Sequence, residues 1–185
     1  MALSAKTRLI PKPIMTKKQK LIKDLFLSLF YSGYSPKAPG TMGSVVALLL
    51  GLPIVYFSQE SIFLLSILIG LIAIKHIDKY EETTQTHDDK SIVIDELVGM
   101  WLAMAIVGFG VAHSLLAFVF FRIFDVSKLS FIGKIDREWK GGLGVVGDDA
   151  LAGILAGICS VLTLQGLVFL SNTIDSLKFI QPYLA

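Results

Sequence analysis

Residues 97–121 read LVGMWLAMAIVGFGVAHSLLAFVFF, and the folding of this apolar stretch decides the architecture of the chain. Its centre, Gly108-Phe109-Gly110-Val111-Ala112-His113, permits either one continuous helix or two short helices in a hairpin. A single helix would cross a membrane and would place its polar flanks on opposite sides. A hairpin would return the chain to the side from which it started.

The composition indicates the class of protein. Of the 185 residues, 54% are hydrophobic and 17% are charged, and the mean hydropathy is +0.69. These values lie outside the range of soluble domains, so we predict an all-α integral membrane protein with the lipid bilayer as its partner and no nucleic acid. The single cysteine, Cys159, lies in an apolar stretch, which excludes a disulfide framework or a cysteine-based metal site.

The other apolar segments predict further helices. Val45 to Phe57 and Ile62 to Ile74 flank the polar tip Ser58-Gln59-Glu60-Ser61, a pattern typical of a helical hairpin. Each arm of about a dozen residues would reach only about 18 Å, which is short for a full span. Ala150 to Leu170 is long enough for a spanning helix.

The distribution of basic residues favours the hairpin for residues 97–121. Both predicted tips lack Lys and Arg and would then share one side, while the Lys-rich N-terminus and two polar stretches, 75–95 and 122–149, would share the other. The positive-inside rule assigns that second side to the cytoplasm. The basic residues of the two polar stretches are Lys75, Lys79, Lys90, Arg122, Lys128, Lys134, Arg137 and Lys140. We therefore predict a compact helical bundle with short hairpins and a cytoplasmic polar face.

The sequence also predicts one domain boundary and two helix faces of small residues. We expect a basic N-terminal extension over residues 1–26 and a membrane-embedded domain over residues 27–185. Small residues recur every four positions and would let helix backbones approach closely in lipid. They are Gly43, Ala47 and Gly51 near the first hairpin, and Gly153 and Gly157 in the last helix. Whether these faces also form a homo-oligomer stays open.

Acidic residues stand at three stations where an apolar segment meets a polar one. They are the pair Asp95 and Glu96, then Asp125, then the pair Asp148 and Asp149. An ionised carboxylate at the edge of a low-dielectric region is tolerated mainly when a cation neutralises it, and carboxylate oxygens are ligands that Mg²⁺ prefers. Acids favoured by a helix N-terminus are the alternative interpretation. Because the hairpins would gather all three stations on one face, we predict a metal site.

Cations and flexible backbone near these acids predict a phosphate site. Arg122, Asp125 and Lys128 are spaced to share a helix face, where they could form a salt-bridge ladder or grip a phosphate. The turn from Ser35 to Ser44 opens into a helix, whose N–H groups and hydroxyls could hold an anion or merely cap the helix. Residues 136–149 form a predicted glycine-rich loop, which would let the backbone approach a ligand closely.

Four of these motifs, in order along roughly residues 27 to 170, resemble those of the bacterial phosphatidylglycerophosphatase A family. They are Pro39-Gly40-Thr41-Met42-Gly43-Ser44, Ile94-Asp95-Glu96, Phe121-Arg122-Ile123-Phe124-Asp125 with Lys128, and Gly141-Gly142-Leu143-Gly144 followed by Asp148-Asp149. The resemblance implies a Mg²⁺-dependent, multi-pass lipid phosphatase of the bacterial inner membrane. Such an enzyme converts phosphatidylglycerophosphate to phosphatidylglycerol and phosphate. The chain departs from the family pattern at Leu129-Ser130-Phe131-Ile132 and at Gly147.

The resemblance and the chemistry of the side chains together assign roles. The expected Mg²⁺ ligands are Asp95, Glu96, Asp125, Asp148 and Asp149. The expected catalytic residues, one of which would assist proton removal from water, are Glu96, Asp125 and Asp149. The residues expected to bind the substrate phosphate are Thr41, Ser44, Arg122, Lys128 and Arg137.

Other functions fit the pattern less well. An alcohol phosphatidyltransferase would also use Mg²⁺ and aspartates at helix ends, but its spacing of Asp-Gly, Ala-Arg, Gly, Asp and Asp is absent. A small cation transporter is the non-enzymatic alternative, since intramembrane acids mark ion paths, but these acids lie at one face rather than along a span. Cysteine or histidine catalysis is disfavoured because Cys159 is embedded in apolar residues and because His76, His87 and His113 are scattered. An aspartyl-phosphate intermediate stays open.

Overall fold

The computed structural model describes residues 15–86, 89–127 and 141–180, and within these ranges the chain is helical, with turns and no strand. A short helix, α1 (Lys17–Ile22), runs into a π-helical turn (Lys23–Leu27), and a 3₁₀ turn follows at Ser32–Tyr34. The five longer helices are α2 (Pro39–Phe57), α3 (Gln59–Thr84), α4 (Ile94–Val107), α5 (Val111–Ser127) and α6 (Gly142–Ile180). The predicted all-α bundle is confirmed.

Residues 97–121 fold as the hairpin that the basic residues favoured. Helix α4 ends at Val107 and α5 begins at Val111, with Gly108 (φ 81°) and Gly110 (φ 158°) in backbone conformations that glycine accommodates. Ser58 alone joins α2 to α3, and its hydroxyl accepts a hydrogen bond from the Ser61 N–H. The two tips touch, since the Gln59 side chain donates to the Ala105 carbonyl. Both hairpins therefore turn at the same end of the bundle.

The first hairpin is longer than its apolar runs indicated. Helix α2 has 19 residues and α3 has 26, so the expectation that each arm falls short of a full span was wrong. The helices continue into residues that are small or polar but still helix-compatible, from Pro39 at the start of α2 to Thr84 at the end of α3. The helices long and apolar enough to cross a membrane, among the residues described, are Pro39–Phe57, Gln59–Thr84 and Gly142–Thr173.

Helix α4 is the centre of the bundle. Every residue of α4 except Asp95 and Ile106 is buried, and the helix contacts α2, α3, α5 and α6. Its indole at Trp101 donates to the Ala47 carbonyl at 2.8 Å, which satisfies a polar group that lipid could not. Large apolar side chains of α2, α3 and α6 instead face outward, as in a protein surrounded by lipid. The N-terminus of α4 is consequently held from several sides.

The small-residue faces pack against the interior of the chain. A methyl group added at Gly43 would meet Val93, one at Gly51 would meet Met104, and one at Gly153 would meet the Gly99 backbone. These glycines let α2 and α6 approach the α4 segment closely. A homo-oligomer stays a prediction, and these particular faces are already occupied within one chain.

Substitution at Gly153 tests this packing. We expect Gly153→Ala to destabilise the protein by roughly 1–3 kcal/mol, because the added methyl overlaps backbone, which cannot rotate away. The measurement is the midpoint of thermal unfolding in detergent. Gly166→Ala is the matched control in the same helix, since no described residue beyond its own stretch of helix places an atom within 4 Å of the added methyl. Equal midpoints for the two variants would contradict the packing.

The glycine-rich segment before the last helix is not the loop that we predicted. The part that the structure describes begins at Gly141 (φ 76°) and becomes helical at Gly142, so Asp148 and Asp149 lie inside α6. The N–H of Gly142 donates to the Asp78 carboxylate at 2.7 Å, and Gly142 packs directly on the Ile74 backbone. Gly142 thus serves close helix packing, which the sequence alone does not distinguish from loop flexibility.

The N-terminal segment is anchored to the bundle. Thr16 and Gln19 form a capping box at the start of α1, and the Gln19 amide also donates to the Thr83 hydroxyl of α3. Further along, the Leu27 carbonyl accepts from the Val93 N–H at 2.9 Å, immediately before α4. The segment therefore braces the start of the central helix. The domain division at residue 26 stays a prediction.

Candidate functional site

The three acidic stations meet at one end of the bundle. Asp95 and Glu96 lie in the first turn of α4, Asp125 lies near the end of α5, and Asp148 and Asp149 lie in the second turn of α6. All five line one cavity of about 280 Å³, which we call the acidic cavity. Its other lining residues are Pro39, Gly40, Ile77, Glu81, Asp89, Lys90, Ile92 and Val145. Stations separated by up to 54 positions in sequence are thereby brought into one site.

Three of these carboxylates form a tight group. Asp95, Glu96 and Asp149 each offer an oxygen, and these oxygens lie within 4.8 Å of one another. Glu96 is 9% exposed and Asp149 is 4% exposed, so water screens their charges poorly. Asp125 and Asp148 line the same cavity outside this group.

The donor set fits a hard divalent cation. Asp95 Oδ1 and Glu96 Oε2 are buried and accept no hydrogen bond from any residue that the structure describes. A buried acceptor without a partner is costly, and so is close approach of like charges. A cation between these oxygens would relieve both costs, and an all-oxygen set is suited to Mg²⁺. The residues therefore fit the metal that the sequence predicted.

A second group of side chains fixes Asp125 beside the start of α2. Arg122 donates from Nη1 to Asp125 Oδ2 at 2.5 Å and to the Ser44 hydroxyl at 3.2 Å, while that hydroxyl donates to the Gly40 carbonyl at 2.8 Å. A methyl group at Gly40 would lie 2.5 Å from a Glu96 oxygen. Glycine at position 40 is what lets the N-terminus of α2 reach the acidic cavity.

The predicted phosphate-binding residues are placed differently from one another. Arg122 lies beside the acidic cavity, held by Asp125, whereas Ser44 is fully buried behind it as an acceptor for Arg122. Thr41 is partly exposed one residue beyond Gly40 and is not part of the cavity lining. Helix α2 begins with Pro39, and no side chain in the described part of the chain forms a capping hydrogen bond there. Lys128 and Arg137, as well as His87, lie outside the described residues.

Sequence reasoning missed several groups around the cavity. Lys90, Glu81 and Asp89 line it, and Asp78 receives the N-terminus of α6. In the sequence, Lys90 is one of many positive charges. Its position five residues before Asp95, with only Ser91 and three apolar residues between them, is the signal that could have placed it at the cavity.

Asp89 lines the acidic cavity and accepts hydrogen bonds from three side chains. Its Oδ2 accepts from Lys23 Nζ at 2.9 Å and from the Tyr80 hydroxyl, while its Oδ1 accepts from the Ser91 hydroxyl at 2.7 Å. Burial alone would raise the pKa of Asp89, but these hydrogen bonds outweigh it and hold that pKa well below its ordinary range. For Lys23, burial opposes the charge, and the hydrogen bond to Asp89 more than restores it, so the pKa of Lys23 is raised.

This anchor predicts a pH dependence of stability. Because the pKa of Asp89 is lower in the folded protein, the carboxylate stabilises the fold above the ordinary value of 3.8, and the contribution is lost as the pH falls. We expect Asp89→Asn to cost about 1.5–3 kcal/mol at pH 7, the range for hydrogen bonds to charged groups, and the difference from wild type to shrink below about pH 4.

Thermal unfolding in detergent across pH measures this difference. Glu82→Gln, which removes an exposed carboxylate from the same end of α3, serves as the control and should unfold like wild type at every pH. A difference for Asp89→Asn that does not change with pH would rule out the ionised anchor.

The fold and the site together define the class: an α-helical membrane protein with a buried carboxylate cluster at one end of its bundle. Within that class, the family model of phosphatidylglycerophosphatase A matches residues 25–164. The chain belongs to this family, as the four motifs indicated.

Relatives with assigned names support the same membership. The chain is 37% identical over 135 residues to phosphatidylglycerophosphatase A of Escherichia coli strain K12, covering 70% of this chain and 76% of that protein. It is 35% identical over 131 residues to the protein of that name from Haemophilus influenzae strain Rd, covering 70% and 80%. A Bacteroides thetaiotaomicron protein, provisionally named a phosphatidylinositol-3-phosphatase, is 33% identical over 137 residues, covering 70% and 85%. No solved structure gives a significant match.

Proposed function

We propose that this protein is a Mg²⁺-dependent phosphatase that hydrolyses phosphatidylglycerophosphate to phosphatidylglycerol and inorganic phosphate. The observation that carries the proposal is the group of Asp95, Glu96 and Asp149, whose oxygens converge in a cavity while two buried acceptors have no described partner. Membership of the phosphatidylglycerophosphatase A family supports the substrate. The reaction class is phosphoric monoester hydrolysis.

The carboxylates of the acidic cavity have two proposed roles, metal binding and proton transfer. Asp95, Glu96 and Asp149, with Asp125 and Asp148 beside them, would hold Mg²⁺. When bound, the ion would neutralise phosphate oxygens and lower the pKa of a water molecule. One of the three predicted catalytic carboxylates, Glu96, Asp125 or Asp149, would accept the proton of the attacking water.

The reaction needs no reactant other than the lipid and one water molecule. The water oxygen bonds to phosphorus, the phosphorus–oxygen bond to the glycerol breaks, and the glycerol oxygen takes up a proton. Arg122 does not itself line the cavity, but Asp125 and Ser44 orient its guanidinium beside the cavity, and we propose that it donates to the substrate phosphate. Lys128 and Arg137 remain proposed phosphate ligands. The N-terminus of α2 at Pro39 and Gly40 supplies the positive end of a helix dipole at the same wall.

The membrane places the reaction at an interface. The helices present apolar side chains outward, and the lipid tails would lie among or beside them with the headgroup at the acidic cavity. Lys17, Lys18, Lys20 and Lys23 lie on the segment that braces this end of the bundle. By the positive-inside rule we propose that the site faces the cytoplasm from the bacterial inner membrane.

Phosphate release in detergent tests the proposed function. Purified protein should release inorganic phosphate from phosphatidylglycerophosphate in the presence of Mg²⁺. The release should stop when the metal is chelated and should resume when Mg²⁺ is added back. Release that is indifferent to chelation would overturn the metal dependence, and no release would overturn the function. Supplying a CDP-linked lipid with an alcohol, and looking for a new phosphodiester, tests the phosphatidyltransferase alternative in the same preparation.

The name of one relative suggests a second substrate to test. The provisional name of the Bacteroides thetaiotaomicron protein specifies a phosphoinositide, which also carries a phosphate monoester and a phosphodiester on one headgroup. Phosphatidylinositol 3-phosphate should therefore be assayed beside phosphatidylglycerophosphate, and the ratio of kcat/KM decides between them. We expect the glycerol headgroup to be preferred.

A further inference from the structure

A second cavity adjoins the acidic one. It has a volume of about 520 Å³, and we call it the basic cavity because three lysines line it. Its lining residues are Lys23, Gly33, Tyr34, Ser35, Pro36, Lys37, Pro39, Asp89, Lys90 and Ser91. Pro39, Asp89 and Lys90 also line the acidic cavity, so the two share a wall.

The described lining of the basic cavity has a net positive charge, with three lysines and one aspartate. Lys23 is paired with Asp89 at 2.9 Å, but neither Lys37 nor Lys90 forms an ion pair with a residue that the structure describes. An ammonium group is a compact point charge that attracts phosphate oxygens. The neighbouring acidic cavity has the opposite character, and Lys90 stands at the boundary between them. With Mg²⁺ held by the carboxylates, as proposed above, both cavities would attract anionic groups, so one ligand would place a phosphate in each.

The walls of the basic cavity are fixed by contacts on both sides. Gly33 packs directly on the Ser91 backbone, with no room for a side chain. The Tyr34 hydroxyl donates to Asp24 at 2.5 Å, and burial together with this hydrogen bond raises the pKa of Tyr34 to about 12. The Lys23 ammonium lies 5.6 Å from the centre of the Tyr34 ring. The cavity is thus a formed feature and not a gap beside a loose segment.

We propose that the basic cavity binds the phosphodiester group of the lipid headgroup while the scissile phosphate monoester occupies the acidic cavity. This inference rests on the proposed function and deepens it. Phosphatidylglycerophosphate carries both groups, separated by a glycerol, whereas phosphatidic acid carries only the monoester. Lys37 and Lys90 are then specificity-determining residues, which select lipids that have a phosphodiester beside the phosphate to be removed.

The specificity ratio of lysine variants tests the proposal. Lys37→Gln and Lys90→Gln should each lower the ratio of kcat/KM for phosphatidylglycerophosphate to that for phosphatidic acid by about tenfold or more, the value of one charged hydrogen bond. The loss should be found in KM rather than in kcat. Lys75→Gln removes an exposed lysine from α3 that lines neither cavity, and it should leave the ratio unchanged. Equal losses for both substrates, or no loss, would overturn the proposal.

A binding measurement separates this inference from the proposed function. Short-chain phosphatidylglycerol, which has the phosphodiester but no monoester, should raise the unfolding midpoint of the wild type more than the matching diacylglycerol. The Lys37→Gln/Lys90→Gln double variant should lose that difference. This readout needs no catalysis, so a protein that releases no phosphate but shows the binding difference would refute only the proposed function. Equal stabilisation by the two lipids would refute the subsite.

Discussion

Replacing Asp149 by Asn is expected to lower phosphate release from phosphatidylglycerophosphate by roughly 10³-fold or more, which corresponds to about 4 kcal/mol of transition-state stabilisation. Asp149 shares a group of oxygens within 4.8 Å with Asp95 and Glu96. An amide keeps the size of the side chain but removes its charge. The three side chains would therefore bind Mg²⁺ less tightly and would neutralise less of the ion's charge. Initial rates at saturating Mg²⁺ measure the loss.

The control for this experiment removes a carboxylate at the opposite end of the bundle. Glu60 lies in the first turn of α3 and is exposed, so Glu60→Gln should retain the wild-type rate. The Asp149→Asn protein should still elute as a folded species and unfold cooperatively on heating. A folded Asp149→Asn protein with undiminished Mg²⁺-dependent turnover would show that the chemistry occurs elsewhere.

The second large effect is a reversal in the stability of an Asp95→Asn variant. Without divalent metal, we expect this variant to unfold at a higher temperature than wild type, because it relieves repulsion among the clustered carboxylates and adds an NH2 group that can donate to a neighbouring carboxylate oxygen. With Mg²⁺ the order should reverse. A ligand at about 100 times its Kd stabilises by about 2.7 kcal/mol, or roughly 5–10 °C for a chain of this size, and only the wild type should gain it fully.

Thermal unfolding in detergent, with Mg²⁺ and with chelator, measures this reversal. Asp125→Asn offers a comparison, since Asp125 is already paired with Arg122 and lies outside the tight group. Its removal should destabilise the protein with or without metal because Arg122 loses its partner. Parallel midpoints for wild type and Asp95→Asn under both conditions would contradict a metal site at Asp95.

The hairpins could be predicted from sequence because their signals are local. Gly108 and Gly110 interrupt residues 97–121, and the lack of Lys and Arg at both tips favoured placing the two tips on the same side. The lengths of α2 and α3 could not be predicted from apolar runs. The last ten residues of α3, Lys75–Thr84, are mostly polar, yet they remain helical as they pass the acidic cavity.

The carboxylates of the candidate site were also predictable, since an acid pair between apolar residues is unusual wherever the chain folds. The secondary structure around the last pair was not, because Gly142 lies in a helix and packs on the Ile74 backbone instead of adding flexibility to a loop. Ser44 illustrates a different limit. The sequence predicted that its hydroxyl binds phosphate, but only the three-dimensional structure shows that this hydroxyl accepts a hydrogen bond from Arg122.

Lys37 and Lys90 show what sequence position alone conceals. Each is one lysine among many, and their 53-residue separation gives no sign of a shared cavity. The contacts of Gly33 with Ser91 and of Leu27 with Val93 bring the two segments together. Charge patterns can be read from sequence, but the pairing of distant surface charges depends on such packing.

Calorimetric titration of Mg²⁺ into the purified protein tests the central claim most directly. We expect saturable Mg²⁺ binding by the wild type and by the Glu60→Gln control, and loss of that binding in the Asp95→Asn/Asp149→Asn double variant. Identical titration curves for the wild type and the folded double variant would contradict it.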